Sequence, residues 1–409
     1  MAQSPGQNPR MLGVGLALNE GDKLTTSDAG SAIVKMLDGT RLTLRAKTEL
    51  VFEKFSYKPG AKDNRMLVKL SQGGVRVVSG EISNTSPDNA QISTVNGILK
   101  MQGANFDARL CGPECQRESS KAGGVPSAAS VSSNAKFVEV QGLVSAISDS
   151  GERRKVFVGA AVNKGDSIEA GPGANGVLVF QDDSRLTVSS DTLMKIDDYR
   201  FDPQKPRDGS SVVSLVKGSM RALTGVIAKE NRAAVSYNTP TATIGIRGTG
   251  LDMDCSAVGA CSFFTWQGLI AIVNKGQTGQ PPILLPVGSG VRVTPTTVQP
   301  AAPTLQNLKR PDQVPVRADQ LFTISTSPGE QVGLIVTVRE GTVALNKDDS
   351  TLYLSSGEVG IAAPGGEVTR PATRPLFTDA DKTPLPGAVN PLLQSLFNDV
   401  NVKAVPNCQ

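Results

Sequence analysis

The sequence contains no histidine, and this absence restricts the chemistry open to the chain. Without an imidazole there is no Ser-His or Cys-His nucleophile pair and no histidine ligand for a metal. Mechanisms built on carboxylates or lysine remain open, and the strongest candidate among the acidic clusters is Asp182-Asp183 in VFQDDSRLTV. We interpret that pair as a hairpin turn, because Asp side chains in turns bond to their own backbone. We therefore expect no enzyme activity, no catalytic residue, no metal site and no cofactor.

Aromatic residues are scarce, and the charge is weak and spread along the chain. Only 4% of residues are aromatic, and the formal net charge is +4. Nucleic acid is therefore not an expected partner, because its binding needs stacking aromatics and a concentrated basic surface. No run of 18 or more apolar residues is present, so no membrane-spanning helix is expected. No signal peptide opens the sequence either, and if the protein is exported we expect that peptide to have been removed.

The sequence does contain many short apolar runs bounded by turn residues. AIVKML, RLTL, VLVF, GLIVTV and TLYL each lie between Gly, Asn, Asp, Ser or Pro. This pattern predicts short strands joined by tight turns, and hence an all-β fold that is solenoid-like or sandwich-like. The exception is the segment 388–400, where Leu392, Leu393, Leu396 and Phe397 recur at helical spacing. That segment predicts one short C-terminal helix.

A long internal repeat divides the chain into two copies. NEGDKL and DGTRLTL in the first copy correspond to NKGDSI and DDSRLTV in the second, 144 residues later, and one inserted residue then makes the offset 145. The matched pairs are Gly21 and Gly165, Arg41 and Arg185, Gly74 and Gly218, Gly103 and Gly248, and Asp107 and Asp252. This period is too long for one solenoid turn, so we interpret the repeat as tandem duplicated domains.

Composition sets the expected domain boundaries. ESSKAGGVPSAASVSSNAK lies between the copies and predicts a flexible linker, because it has no apolar period. TWQGLIAIVNKG and TVREGTVALNKD resemble each other and are interpreted as paired hairpins, one per unit, on either side of a Pro-rich stretch. The expected parts are a first β domain at 12–115, the linker at 116–137, a second β domain with a hairpin extension at 138–295, a Pro-rich connector at 296–330, and C-terminal hairpins with a helix at 331–409.

The five cysteines point to a compartment. CGPEC and CSAVGAC occupy matched places in the two copies, and their close spacing is suited to disulfides Cys111–Cys115 and Cys255–Cys261. Zinc is the rival interpretation, although the spacing differs from that of a usual zinc finger and no histidine completes a set. Disulfides persist in oxidising compartments, so we favour bridges and a periplasmic or extracellular location. Cys408 is left over and is expected to be free or intermolecular.

Several motifs in fixed order resemble the FecR domain of bacteria. GDSIEAGPGANGVLVFQDDSRLTV, then SLVKGSMRAL, then NTPTATIGIRGTGLDM follow the family pattern at about residues 140–275. The first copy, at about 12–115, keeps DGTRLTL but has MQGANF where the family has an Arg-Gly-Thr motif, so its closing motif is degenerate. Within the second closing motif we expect a structural signature: a bulge at Gly248, a backbone bond from Thr249, and a carboxylate or carbonyl partner for Arg247, with Asp252 following.

The resemblance implies an all-β protein that works outside the cytoplasm. The best-known FecR proteins are inner-membrane regulators that relay iron-siderophore signals to a sigma factor, with an anti-sigma segment and a transmembrane helix before this domain. Neither segment is found in these 409 residues. We therefore expect a periplasmic or secreted binding or scaffold protein of the bacterial cell envelope that acts through protein partners or self-association. The alternative is a cell-envelope signalling regulator that partners a membrane protein.

Overall fold

The computed structural model describes residues 1–129, 131, 133–277, 279–325 and 332–379. They form two units, and each has its own hydrophobic core. Unit 1 combines Met1–Val131 with Ile324–Gln409, and unit 2 is Ser132–Thr323. Unit 2 is therefore inserted into the chain of unit 1.

Unit 1 begins with nine strands. They are β1 Ala2–Gln3, β2 Lys23–Thr25, β3 Ala32–Lys35, β4 Arg41–Leu44, β5 Glu49–Ser56, β6 Arg65–Gln72, β7 Gly74–Val78, β8 Ala90–Thr94 and β9 Gly97–Cys111.

Unit 2 contributes the next fifteen strands. They are β10 Ala135–Gln141, β11 Val144–Ile147, β12 Arg153–Lys155, β13 Ala161–Val162, β14 Ser167–Ala170, β15 Asn175–Phe180, β16 Arg185–Val188, β17 Leu193–Arg200, β18 Ser210–Leu223, β19 Val235–Asn238, β20 Ala242–Cys255, β21 Cys261–Asn274, β22 Ile283–Pro286, β23 Gly290–Val293 and β24 Val298–Pro300.

The chain then returns to unit 1 with four more strands, β25 Gly333–Lys347, β26 Ser350–Ser355, β27 Val359–Ala362 and β28 Val368–Thr369. The helices of both units are short: α1 Glu81–Thr85, α2 Pro113–Ala122, α3 Val226–Glu230, α4 Ala318–Phe322 and α5 Leu376–Asp379. The all-β prediction is confirmed. The predicted helix at 388–400 lies outside the described residues. Among the helices that are described, none is long and apolar enough to cross a membrane.

The two units share one strand order, as the repeat predicts. Unit 1 runs β2-β5-β6-β8-β9-β25, and unit 2 runs β14-β17-β18-β19-β20-β21. The one parallel step falls at the same place in both orders, between β6 and β8 and between β18 and β19. Strand β18 is long enough to take the place of β6 and β7 together, because it also pairs with β16 and β20.

The copies differ in how the last strand of this order is supplied. In unit 2 the partner of β20 is β21, which follows after a tight turn. In unit 1 the partner of β9 is β25, which follows only after the whole of unit 2. The predicted tandem order and the separate C-terminal part at 331–409 therefore differ from the structure. The physical reason is that β9 is a long strand whose edge needs a partner, and β25 satisfies its backbone groups.

Strand β25 also completes the core of unit 1. Leu334, Val336, Val338, Val343 and Leu345 are all buried against apolar side chains from β4, β6, β7 and β9. They alternate along the strand on either side of an irregularity at residue 339, so one face of β25 lies on the core throughout. Burial of five such side chains supplies a large share of the free energy that holds the returning chain in place.

Two segments predicted to be connecting chain are instead ordered parts of the units. The expected linker at 116–137 begins inside α2, and the amide of Ala129 donates to the carbonyl oxygen of Ala372 at 2.9 Å. Much of the expected connector at 296–330 is a segment that packs on unit 2, and we call residues 303–322 the strap. Its side chains Leu305, Val314 and Leu321 are buried. These segments are rich in Ser, Ala, Gly and Pro, so their sequences show no apolar periodicity that would predict packing. Backbone hydrogen bonds contribute to their attachment to the units.

A glycine that occurs at the matched position of each unit shows where the offset of the repeat changes from 144 to 145. Gly218 has φ +83° and lies against Thr192, and in unit 1 the glycine with the same geometry, φ +78° beside Thr48, is Gly73. The predicted pairing of Gly74 with Gly218 is therefore wrong by one residue. The inserted residue lies before this glycine, between the hairpin strands β5 and β6.

We predict that Gly218→Ala strongly destabilises unit 2. A Cβ at residue 218 would lie 2.5 Å from Cα of Thr192, in addition to the cost of a positive φ. The expected loss in free energy of unfolding is at least about 3 kcal/mol. The measurement is urea unfolding followed by fluorescence of Trp266, the one tryptophan in the sequence, which lies in unit 2.

Gly173→Ala is the matched control, because Gly173 has φ +70° but open space around the Cβ position. It should lose only about 1 kcal/mol, the cost of the backbone conformation. Equal losses for the two substitutions would show that the close approach to Thr192 does not matter.

Candidate functional site

The closing strand of unit 2 carries a buried ion pair. Arg221 on β18 and Asp252 on β20 lie directly opposite each other. The Nε and Nη2 atoms of Arg221 donate to the two carboxylate oxygens of Asp252 at 2.8 and 3.1 Å. The side chains are only 8% and 4% exposed, so this is a two-bond pair shielded from solvent.

The third nitrogen of Arg221 reaches the strap. Its Nη1 donates to the carbonyl oxygens of Leu305 at 3.0 Å and Leu308 at 2.5 Å. Burial raises the pKa of the Asp252 carboxyl, and the Arg221 charge and hydrogen bonds act against that rise. The guanidinium thus joins the Asp252 carboxylate in the sheet to two backbone carbonyls of the strap.

Unit 1 holds the same pair. Arg76 on β7 faces Asp107 on β9, with Nε and Nη2 donating to its two carboxylate oxygens at 2.5 and 3.3 Å. A second arginine, Arg339 on β25, also contacts the Asp107 carboxylate at 2.8 Å. Arg339 occupies the register position that Trp266 has on β21, at the irregularity of each strand. In unit 2 the Arg310 guanidinium of the strap lies 4.3 Å from the centre of the Trp266 ring.

The predicted signature residues form a bulge just before this pair. Gly248 has φ +68°, and Thr249 donates its amide to Thr224 Oγ1 at 2.9 Å and its hydroxyl to the Leu269 carbonyl oxygen at 3.0 Å. The Arg247 backbone pairs with Leu269. A structural role for the Arg247 side chain stays a prediction, and both oxygens of Asp252 are bound by Arg221.

The first copy forms the same bulge with different residues. Gly103 has φ +57°, and the amide of Ala104 donates to Ser79 Oγ at 2.7 Å, as Thr249 does to Thr224. Gln102 and Ala104 stand where the second copy has Arg and Thr. The glycine is therefore the part of the motif that the backbone requires.

Sequence reasoning missed a second matched ion pair. Arg10 contacts Asp22 at 2.7 Å, and Arg154 contacts Asp166 at 2.5 Å. Both arginines lie twelve residues before their aspartates and 144 residues apart, so the repeat begins earlier than residue 12. Burial raises the pKa of Asp22, but hydrogen bonds from Asn19, Ser4 and Arg10 together hold it below its ordinary value.

The acidic pair Asp182-Asp183 is a turn, as predicted. Asp182 accepts bonds from the amide and the hydroxyl of Ser184, at 3.2 and 2.6 Å, and Asp183 has φ +60°. The phenol of Tyr199 also donates to Asp182 at 3.1 Å. Burial raises the pKa of Asp182. Its Oδ1 atom thus holds the hairpin turn, and its Oδ2 atom accepts from the amide of Ile227 in α3 at 3.3 Å.

The chemistry of these groups is structural. The carboxylates described above are bound by arginine, hydroxyl or amide donors, and the arginines on β7 and β18 are buried. A shallow recess lies over Asp107, lined by Arg45, Arg109, Thr337 and Phe377 among others. Within the described ranges, no three Cys, Asp or Glu side chains are grouped to hold a metal ion.

The structure brings each predicted cysteine pair to disulfide distance. Cys111 and Cys115 have Cα atoms 5.6 Å apart, and Cys255 and Cys261 have Cα atoms 4.3 Å apart. The first pair ties the end of β9 to α2, and the second closes the turn between β20 and β21. Cys408 lies outside the described residues.

Comparison with known proteins identifies the domain type. The family model described as FecR protein matches residues 22–120, which run from β2 to α2 of unit 1. Residues 22–120 form a FecR domain. The match falls on the copy with the departing closing motif, whereas the sequence favoured 140–275 as the fuller match. The likeness of unit 2 to a FecR domain therefore rests on the repeat and the shared strand order.

No curated protein matches the chain. Two crystal structures of a proposed anti-sigma factor from Parabacteroides distasonis ATCC 8503, at 2.50 and 1.65 Å resolution, are similar to it. In each the identity is 11%, the TM-score is 0.27, and the match covers 34% of this chain and 61% of that protein. A TM-score this low does not establish a shared fold, so the FecR assignment rests on the family match.

We predict that Arg221→Met destabilises unit 2 by about 3–5 kcal/mol, because it leaves the Asp252 carboxylate buried without its partner. The double substitution Arg221→Met with Asp252→Leu should recover most of the loss, because both charges are then removed. Urea unfolding followed by Trp266 fluorescence measures both. Lys217→Met, at an exposed position of the same strand, should change stability by less than about 0.5 kcal/mol. A loss at Lys217 as large as that at Arg221 would contradict the role given to the pair.

We also predict that both cysteine pairs are oxidised in the native protein. Alkylation of the unfolded chain without reductant, followed by mass spectrometry, should label one thiol at most, Cys408. After reduction all five cysteines should be labelled. Labelling of four or five without reductant would show that the pairs are free thiols.

Proposed function

We propose that the protein is a non-enzymatic, extracytoplasmic FecR-domain protein that binds or scaffolds other proteins. The observation that carries this proposal is an apolar loop of unit 1 that faces solvent. Met11, Val14 and Leu16 are 78%, 75% and 53% exposed. Exposed apolar side chains grouped in one place are typical of protein interaction sites.

The loop is specific to unit 1. At the matched positions of unit 2 stand Lys155, Val158 and Ala160, and none of them is an exposed apolar side chain. Leu12 and Leu18 pack on the unit 1 core at either end of the loop. The three exposed side chains therefore lie on a segment whose ends are anchored to the core. Because the segment is already restrained, it loses less conformational entropy when it binds a partner.

A second apolar contact point lies on unit 2. Val258 is fully exposed at the tip of the turn that Cys255 and Cys261 close. Asp254 accepts bonds from the amide and hydroxyl of Ser256 at 3.0 and 2.6 Å, which fixes the turn further. Two contact points on two units suit a protein that binds at more than one place.

The location and the absence of catalysis have separate support. Matched disulfide-distance pairs in both units favour an oxidising compartment, the periplasm or the cell exterior. The carboxylates of Asp107 and Asp252 each bind an arginine, and that of Asp182 holds a turn. This supports a role in binding over one in catalysis.

The FecR match favours a second candidate, a cell-envelope signalling regulator. In that case the exposed loop would bind a membrane protein that carries the signal onward. The two candidates therefore differ in the identity of the bound protein.

We predict that a photo-crosslinking amino acid at Val14 captures a protein partner in the native host. The same group at Lys62, an exposed residue on a polar part of unit 1, is the control and should give no adduct. Met11→Ser with Val14→Ser should weaken self-association or partner binding while the free energy of unfolding of unit 1 stays within about 0.5 kcal/mol.

Mass spectrometry of the adduct separates the candidates. A second copy or a soluble envelope protein supports the scaffold, and a membrane signalling protein supports the regulator. Equal capture at Val14 and Lys62, or no capture together with monomeric light scattering, would count against both.

A further inference from the structure

Strands β21 and β22 of unit 2 are apolar on both faces. Ile270, Ile272 and Leu285 lie in the core. Because successive residues of a strand point to opposite sides of the sheet, their neighbours face away from that core. These neighbours are again apolar: Leu269, Ala271, Val273, Leu284 and Pro286. Val273 and Leu284 are 43% and 56% exposed, so the second face is open to solvent.

A hollow lies beside the exposed leucine. Across neighbouring strands, Gly245 of β20 pairs with Ala271 of β21, and Ala271 pairs with Leu284 of β22. The backbone does not require glycine here, because the φ of Gly245 lies outside the left-handed region. Apart from the residues next to it in the chain, the nearest atom to an added Cβ is the Ala271 carbonyl oxygen at 3.9 Å. A strand glycine of this kind is typical of a place where another molecule approaches closely. The apolar face is defined here as Gly245, Leu269, Ala271, Val273, Leu284 and Pro286.

The matched positions of unit 1 are mostly polar. Lys100 corresponds to Gly245 at the offset of 145, and its Nζ atom lies 2.7 Å from a carboxylate oxygen of Asp88. The other matched pairs are Thr342 with Leu269, Asn346 with Val273, Ser355 with Pro286, and Tyr353 with Leu284. The duplicated fold therefore does not require this face to be apolar or its centre to be empty. Both features belong to unit 2 alone, which favours an occupant that binds unit 2.

We propose that the apolar face of unit 2 binds the same face of a second copy of this chain. In a two-fold arrangement, Leu284 of each copy enters the hollow at Gly245 and Ala271 of the other, so the projecting group and the hollow of one face serve both copies. The apolar face carries no charged residue, so it offers nothing to a partner that is recognised by charge. The proposal rests on the proposed binding function but uses a different surface from the loop of Met11, Val14 and Leu16, so either can fail without the other.

Proline at the β22 edge favours packing of the two copies face on face. Pro286 has no amide hydrogen, and Pro281 and Pro282 precede the strand. Prolines at a sheet edge hinder its extension by another strand, so the second copy packs on the face instead. At the usual strand spacing, β20, β21 and β22 cover about 250 Å² over about five residues. A stable dimer buries about 800 Å² on each partner, so we expect a weak dimer that dissociates reversibly.

The test is sedimentation equilibrium of the full chain from about 10 μM to about 1 mM, a range suited to a weak dimer. The chain carries Cys408→Ser, which excludes an intermolecular disulfide. Gly245→Lys gives the hollow the residue that unit 1 has there, and the open space around Gly245 should let β20 keep its fold. We expect this substitution to raise the dissociation constant of the dimer at least about tenfold. Gln299→Lys adds the same charge at an exposed position of β24 and should change the constant less than about twofold.

Further variants keep the proposal open to refutation. Val273→Asn, again the residue of unit 1, should weaken the dimer too, and it serves if Gly245→Lys does not fold. Met11→Ser with Val14→Ser should leave this dimer unchanged. If only the loop variant weakens self-association, the proposed function stands and this inference is wrong. A chain that stays monomeric up to about 1 mM, or a dimer that withstands both Gly245→Lys and Val273→Asn, would also overturn it.

A photo-crosslinking amino acid at Leu284 identifies the occupant directly. In a mixture of light and isotope-labelled protein, we expect adducts that join a light chain to a labelled chain through β20, β21 or β22. Adducts confined to single chains would show that another part of the same chain covers the apolar face. Adducts between chains at other strands would show that the two copies do not meet through this face.

Discussion

The pairing of β9 with β25 is the interaction on which unit 1 depends. Strand β9 is fifteen residues long and already pairs with β7 and β8 along its other edge. Without β25, its remaining backbone groups and the apolar face of the unit 1 core would be open to water. Both are covered by β25, a strand that follows the whole of unit 2 in the sequence. The fold of unit 1 is therefore a long-range property of the chain.

The duplicated arginine–carboxylate pairs explain the closing motif in physical terms. In each unit a glycine-centred bulge turns the strand, and a few residues later an aspartate meets an arginine from the neighbouring strand. A buried pair of this kind is costly to break and fixes the strand register, because only one alignment brings the charges together. The sequence between glycine and aspartate can then vary, as GANFD and GTGLD do.

Strand content, the duplication and the cysteine pairs could be predicted because their signals are local or repeated at a constant offset. The strap could not be predicted, because its anchors at Leu305 and Val314 are backbone carbonyls that any residue supplies. The partner of Asp252 could not be predicted either, since several arginines are near in sequence and only the sheet register selects Arg221. The Arg10–Asp22 pair had a signal, because the Arg154–Asp166 pair repeats it at the offset of 144.

The insertion of one unit within the other also sets an order of assembly during synthesis. Chains are made from the N-terminus, so every strand of unit 2 is available before β25 has been made. During that interval unit 1 has its first nine strands but an open β9 edge, which is a surface prone to pairing with other chains. Unit 2 can fold as soon as its chain emerges from the ribosome, whereas unit 1 cannot be completed until β25 has been made. The last strands to be made therefore decide whether the first strands made become a closed domain.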